Sequence, residues 1–164
     1  DVHIEPLIRG GSQERNLRAG TENIYGIVGM AKALAMACDH LEDHQEYVQV
    51  LKDYMKAQLT TNIKGIEVNG CEERSLYTVL NVKLPATNKA SMLLFLLDID
   101  GIGCSSGSAC TSGSNQGSHV LRGLNIGSDS PSIRFSFSRY STREEIDYAV
   151  ERLAHHLEPV AVVN

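Results

Sequence analysis

The sequence predicts a two-layer α/β domain, with a mostly antiparallel sheet and helices packed on one face, preceded by a long connecting helix. Three observations carry this. Apolar residues recur at three- and four-residue steps from Ile27 to Leu59. The apolar period drops to two between Ile66 and Leu84 and again between Ile133 and Phe137. A last helical stripe runs from Ile146 to Leu157 behind a capping signal.

Residues 1–22 show little periodicity and carry Arg9, Gly10, Gly11, Arg15, Arg18 and Gly20, the pattern of an ordered loop lying on a neighbour. From Asn23 the stripe Ile27, Met30, Leu34, Cys38, Leu41, Val48, Leu51, Met55, Leu59 predicts one long amphipathic helix or two stacked ones over 23–60. The polar stretch Asp39 to Glu46 is the place for a kink or break. Ile66 and Val68 precede an Asn69-Gly70 turn, and Thr78, Leu80, Val82 and Leu84 alternate with Tyr77, Val79, Asn81 and Lys83, which predicts two strands. Asn88 is the candidate cap of a short helix through Leu93 and Leu97, closed by Gly101 in a left-handed conformation, with a short strand expected at 102–105. Gly and Ser dominate residues 103–118, and Val120, Leu121 and Leu124 mark one or two helical turns beyond. Ile133, Phe135 and Phe137 belong on the core face of a strand, with Arg134 on the opposite face. Thr142 and Glu145 form a capping box ahead of Ile146, Ala149, Val150, Leu153 and Leu157. By residue pattern the chain divides into a loop segment at 1–22, a helix or two stacked helices over 23–60 and an α/β domain at 61–164.

Composition narrows the function classes. With 164 residues, 42% hydrophobic and 21% charged, the chain has the core material of a folded domain. A net charge of −5 without a Lys/Arg cluster gives no footprint for nucleic acid or an anionic membrane surface. No apolar run approaches the roughly 20 residues that span a bilayer, and no signal-peptide pattern opens the chain, so a cytoplasmic location is expected. Cys38, Cys71, Cys104 and Cys110 are too sparse for a disulfide scaffold and read as reduced thiols. The opening at Asp1, a few residues ahead of Gly10-Gly11, reads as the middle of a longer protein.

The segment Cys104-Ser105-Ser106-Gly107-Ser108-Ala109-Cys110-Thr111-Ser112-Gly113-Ser114 sets Cys110 among residues too small and polar to bury it. Its thiol is predicted to be reachable, but no neighbour in sequence supplies the cation that lowers a thiol pKa. The Gly/Ser flanks also suit a loop that delivers the thiol to a distant site, and the same composition suits a surface loop with an incidental cysteine. Cys104 and Cys110 lack metal-ligand spacing, and Cys38, Cys71 and Cys104 read as structural. Gly20-Thr21 ahead of a helix start offers backbone amides, a hydroxyl and a helix dipole to a phosphate, although Thr21 and Asn23 are equally ordinary helix caps. Arg134 has the planar fork that grips a carboxylate, or is a surface charge. His155 and His156 read as a solvated helix face.

Four ordered motifs then converge: Gly10-Gly11-Ser12-Gln13-Glu14, Arg18-Ala19-Gly20-Thr21-Glu22-Asn23, Ser105 to Ser112, and Ser132-Ile133-Arg134-Phe135-Ser136. Together they closely resemble the NifS/IscS-like cysteine desulfurases, PLP-dependent enzymes of fold type I in the class V aminotransferase family. The likeness covers essentially the whole chain and corresponds to roughly the last two-fifths of a family member, which implies the C-terminal small domain. It implies conversion of L-cysteine to L-alanine with transfer of the sulfur to a loop cysteine as a persulfide. The nucleophile would be Cys110, the holder of the substrate carboxylate Arg134, and the binder of the pyridoxal 5'-phosphate phosphate across a homodimer interface Thr21. The Ser-Ser-Gly-Ser-Ala-Cys form with a long following loop resembles the group that feeds iron-sulfur scaffolds, which makes an acceptor protein the implied partner. Family members carry the Schiff-base lysine upstream of residue 1, and Lys32, Lys52, Lys56, Lys64, Lys83 and Lys89 match no such context. Ser12 stands where many relatives have a third glycine. The alternatives are another class V aminotransferase or selenocysteine lyase, or a non-catalytic scaffold-binding or sulfur-relay domain.

Overall fold

A computed structural model describes residues 4–87, 89, 92–106, 118–124, 126 and 131–157. The chain divides into two units, residues 1–41 and 42–164.

In the first unit, residues 4–23 are irregular, as their sequence predicts, with one tight turn at Gln13–Asn16 in which Glu14, Arg15 and Asn16 take φ of +47°, +57° and +67°. Local polar contacts fix their path. The Ala19 amide donates to the Ile8 carbonyl (3.1 Å), the Gly20 amide to Gln13 Oε1 (3.2 Å), and Arg18 to the Gly20 carbonyl (2.9 Å) and to the Glu22 carboxylate. Asn23 then caps helix α1 (Ile24–Asp39), its Oδ1 accepting from the Gly26 amide at 3.0 Å. The apolar stripe predicted for this helix forms but none of its residues is buried; Tyr25 is 91% and Met30 70% exposed. Apolar side chains occupy every side of α1, so the pattern that reads as one core-facing stripe is part of a helix apolar all round. Cys38, expected to be a structural residue, is exposed with it.

In the second unit, helix α2 (Leu41–Asn62) starts after a break at His40, inside the polar stretch where a break is expected. Its stripe is buried as predicted, through Val48, Leu51, Met55 and Leu59. Lys52 is buried beside them, and its ammonium donates to Ser75 Oγ and the Leu76 carbonyl, both at 2.7 Å. The chain reverses at Gly65 and enters β1 (Glu67–Val68), turns at Asn69-Gly70 with Gly70 at φ +99°, and returns as β2 (Val79–Lys83). Strand β3 (Ser132–Ser136) completes an antiparallel sheet of order β1-β2-β3. Leu80 pairs with Phe135 and Val82 with Ile133, so these four share one face and are buried against α2, α3 (Leu93–Ile99) and α5 (Arg143–Leu157). Helices on one face of a mostly antiparallel sheet are the architecture the sequence predicts.

The connections show where local signals hold. Gly101 closes α3 at φ +78°, its amide donating to the Asp98 carbonyl at 2.9 Å. Asn88 lies outside the described residues, and the position ahead of α3 is taken by Met92 without a side-chain cap. The strand expected at 102–105 reduces to a single bridge, Ser105 to Arg134. The Ile102 amide is committed to the Leu97 carbonyl (2.8 Å) in closing α3, so pairing with β3 is reached only at Ser105. The turns predicted around Val120 are helix α4 (His119–Gly123). The capping box of α5 is reciprocal: the Thr142 amide donates to Glu145 Oε2 (2.9 Å) and the Glu145 amide to Thr142 Oγ1 (3.3 Å).

Candidate active site

Arg134 lies in the middle of β3 on the face away from the core, where Ser132, Arg134 and Ser136 alternate with Ile133 and Phe135. Its side chain is exposed, and its guanidinium meets no hydrogen-bond or ion-pair partner among the described residues. An arginine left uncommitted on a rigid strand is available to an outside anion, and its planar fork matches a carboxylate.

The bridge at Ser105 ties a second motif to this strand. The Ser105 amide donates to the Arg134 carbonyl at 3.1 Å, and the Arg134 amide donates to the Ser105 carbonyl at 2.7 Å. Twenty-nine positions apart in sequence (134 − 105), the first residue of the Ser-Ser-Gly-Ser-Ala-Cys segment and the arginine of Ser-Ile-Arg-Phe-Ser therefore share a backbone pair. Cys110 itself, and with it the order of the 106–117 loop beyond Ser106, lies outside the described residues.

Cys104, one residue before the bridge, is half-buried and packs against the core, as expected of a structural thiol. Burial pushes its pKa up, and the nearby Asp98 carboxylate pushes in the same direction. A thiol so placed stays protonated at neutral pH and is a poor nucleophile.

Thr21 stands three positions ahead of the first residue of α1. Asn23, and not Thr21, caps that helix, so the hydroxyl of Thr21 is exposed and without a partner among the described residues. The neighbouring Gly20 amide is committed to Gln13. Several lysines are occupied elsewhere: Lys52 in the core, Lys83 with Glu67 at 3.1 Å, and Lys89 on the His156 carbonyl at 3.0 Å. No group of three or more His, Cys, Asp or Glu among the described residues could hold a metal ion. No single described helix is long and apolar enough to cross a membrane.

One polar cluster escapes the sequence. Asp100, at the end of α3, accepts from Arg152 Nε (2.9 Å) and Nη2 (3.0 Å) in a bidentate pair and lies 2.7 Å from His156 Nε2. The hydrogen bond from Arg152, then that of His156, holds the Asp100 carboxyl below the usual carboxylate range. His156 is thus not on a solvated face: its side chain is 12% exposed, and it fastens α5 to α3. Arg152 and His156 are one helical turn apart, a visible spacing, but their acid partner is more than fifty residues away.

Comparison with known proteins places these features. The aminotransferase class-V family matches residues 7–149. Cysteine desulfurase IscS of Dictyoglomus turgidum is 37% identical over 163 residues, which is 98% of this chain and 41% of that protein. A cysteine desulfurase of Gluconacetobacter diazotrophicus is 41% identical over 152 residues, 92% of this chain and 38% of that protein. Among solved structures, a NifS-like protein superposes with a TM-score of 0.78 at 33% identity, covering 95% of this chain and 40% of its own. A NifS-like protein from Rickettsia africae gives 0.76 at 26% identity, covering 94% and 40%. The chain therefore spans about two-fifths of the length of the relatives it matches, and it belongs to the aminotransferase class-V family.

Proposed function

We propose that this chain is the C-terminal part of a PLP-dependent cysteine desulfurase, with Cys110 as sulfur carrier, Arg134 as carboxylate anchor and Thr21 as a phosphate contact. The observation that supports it most is the backbone pair between Ser105 and Arg134. It gives the base of the cysteine segment and the candidate carboxylate anchor one common support. A bound amino acid and an approaching thiol would then be positioned from the same edge of the same sheet.

Each residue has a task within its own chemistry. Arg134 binds the α-carboxylate of L-cysteine and orients the substrate by two parallel N–H···O bonds. The Thr21 hydroxyl fits a phosphate oxygen, since α1 takes its cap from Asn23 and no described residue engages that hydroxyl. Pyridoxal 5'-phosphate, when bound, supplies the electron sink that weakens the substrate Cβ–S bond. The Cys110 thiolate attacks the substrate sulfur; an S–S bond forms as the Cβ–S bond breaks, the bonding pair stays with Cβ, and Cβ takes up a proton to become the methyl of alanine, leaving a Cys110 persulfide. Cys104, with its raised pKa, does not compete for this role. The persulfide is then handed to an acceptor such as an iron-sulfur scaffold protein.

In this reading residues 1–22 belong to the large PLP-binding domain of a homodimeric enzyme, 23–60 connect, and 61–164 form the small domain. The uncovered apolar surface of α1 supports it, because that much exposed apolar area calls for further protein to lie on it. The Schiff-base lysine would come from the part of the enzyme this chain does not span. The isolated chain with added PLP is therefore expected to release no alanine from L-cysteine, and the full-length enzyme to do so until Cys110→Ser abolishes it. Turnover by the isolated chain, or undiminished sulfur transfer by Cys110→Ser, overturns the assignment.

A further inference from the structure

The outer face of the sheet carries a straight cross-strand row. Asn81 on β2 pairs directly with Arg134 on β3, and Arg134 pairs with Ser105. On the far side of Asn81, the Asn69 amide donates to the Asn81 carbonyl at 2.9 Å, which continues the β1 pairing by one residue. The side chain of Asn69 meets Asn81 within this row and reaches diagonally to Ser132, which stands opposite Lys83. Asn69 Nδ2 donates to Asn81 Oδ1 at 2.6 Å and to Ser132 Oγ at 3.1 Å.

The planar amide makes this arrangement directional. With Oδ1 of Asn81 held as an acceptor by Asn69, the Nδ2 of Asn81 occupies the opposite end of the group. Its two N–H donors have no partner among the described residues, and neither does the guanidinium of Arg134. Residues directly opposite in an antiparallel pair have Cβ atoms about 4.5–5.5 Å apart, a separation at which both side chains can be turned toward one small anion. Asn81 is only half-buried, so that anion can arrive from outside.

We infer that Asn81 is a second recognition residue for the α-carboxylate of the amino-acid substrate. It donates one N–H to the carboxylate that Arg134 grips, and Asn69 is the positioning residue that fixes its rotamer. This rests on the desulfurase reading of Arg134 given above. It makes specificity for an α-carboxylate a property of two adjacent strands, and explains the use of an amide there. An aspartate in the same place would pair with Arg134 and repel the substrate, whereas an amide adds a donor without competing for the guanidinium.

The test uses the full-length holoenzyme and compares L-cysteine with cysteamine, which lacks the carboxylate. Asn81→Ala is expected to raise KM for L-cysteine about ten-fold, the worth of one hydrogen bond to a charged group, with the loss falling on KM rather than kcat. Asn81→Asp, close to isosteric and still able to accept from Asn69, is expected to raise it further. Inhibition by cysteamine should stay within a factor of about two of the parent enzyme in both variants, a readout that a merely structural role of Asn81 would not spare. Asn69→Ala is expected to give a smaller rise, because the freed amide can turn. Unchanged KM in Asn81→Ala and Asn81→Asp overturns the inference, as does equal weakening toward both ligands. An Arg134→Ala enzyme that binds L-cysteine normally removes the carboxylate site altogether and overturns both readings. Weakening by Arg134→Ala alone overturns only the assignment of Asn81.

Discussion

At the scale of single residues, the guanidinium of Arg134, without a partner among the described residues, is the feature on which the proposed chemistry rests. In the full-length enzyme, Arg134→Ala is expected to weaken L-cysteine binding by about 1.5–3 kcal/mol, the worth of hydrogen bonds between charged groups, seen as a rise in KM. Arg134→Lys should recover only part of it, since an ammonium cannot reproduce the two parallel bonds. The thiols offer an independent check. Burial and Asp98 raise the Cys104 pKa, so Cys104 is expected to alkylate more slowly than the exposed Cys38 at neutral pH, as measured by peptide mapping. Equal rates would mean that Cys104 is not sheltered. The place of Arg134 opposite the core face was legible in the alternation Ile133-Arg134-Phe135, because a strand has a period of two. That no described residue pairs with its side chain was not legible, since that depends on the neighbours the fold brings near.

At the scale of elements, local codes were readable and distant ones were not. The Thr142/Glu145 box acts within four residues and forms as the sequence predicts. Thr142→Ala is expected to cost about 1 kcal/mol in a denaturant titration. Leu153→Ala, at a fully buried position on the same helix, should cost about 2–5 kcal/mol. The Asp100–Arg152–His156 clasp joins α3 to α5 across more than fifty residues, and one chain alone gives no means of pairing them. Its pH dependence has a definite sign. The Asp100 carboxyl is held below its ordinary value in the folded state, so its stabilisation is complete above the unfolded value of about 3.9. That stabilisation is lost as pH falls through the folded value. Asp100→Asn should therefore melt at lower temperature than the parent at neutral pH, with the gap closing as pH drops below about 4. A gap that persists undiminished in acid would show that the clasp does not act through its charge.

At the scale of the whole molecule, α1 marks the limit of what periodicity can say. Its apolar spacing is helical and the helix forms, but spacing does not tell whether the surface it will cover lies in the same chain. In α2 the same spacing packs against the sheet, because β2, β3 and α5 supply the opposing face. The exposed Tyr25, Met30 and Leu34 should make the isolated chain bind a hydrophobic dye, and Met30→Glu with Leu34→Glu should suppress that binding without unfolding residues 42–157. The motif-bearing segments were legible as four separate runs of residues. The joining of the last two was not legible, since the bond between Ser105 and Arg134 is a tertiary pairing. The most direct measurement is intact-peptide mass spectrometry of the full-length enzyme after a single turnover with L-cysteine. A mass increase of one sulfur atom on the peptide carrying Cys110, absent in Arg134→Ala at low substrate and restored at high substrate, is the predicted result. Sulfur found on Cys38, Cys71 or Cys104 instead, or alanine formed with Cys110 unmodified throughout, would contradict it.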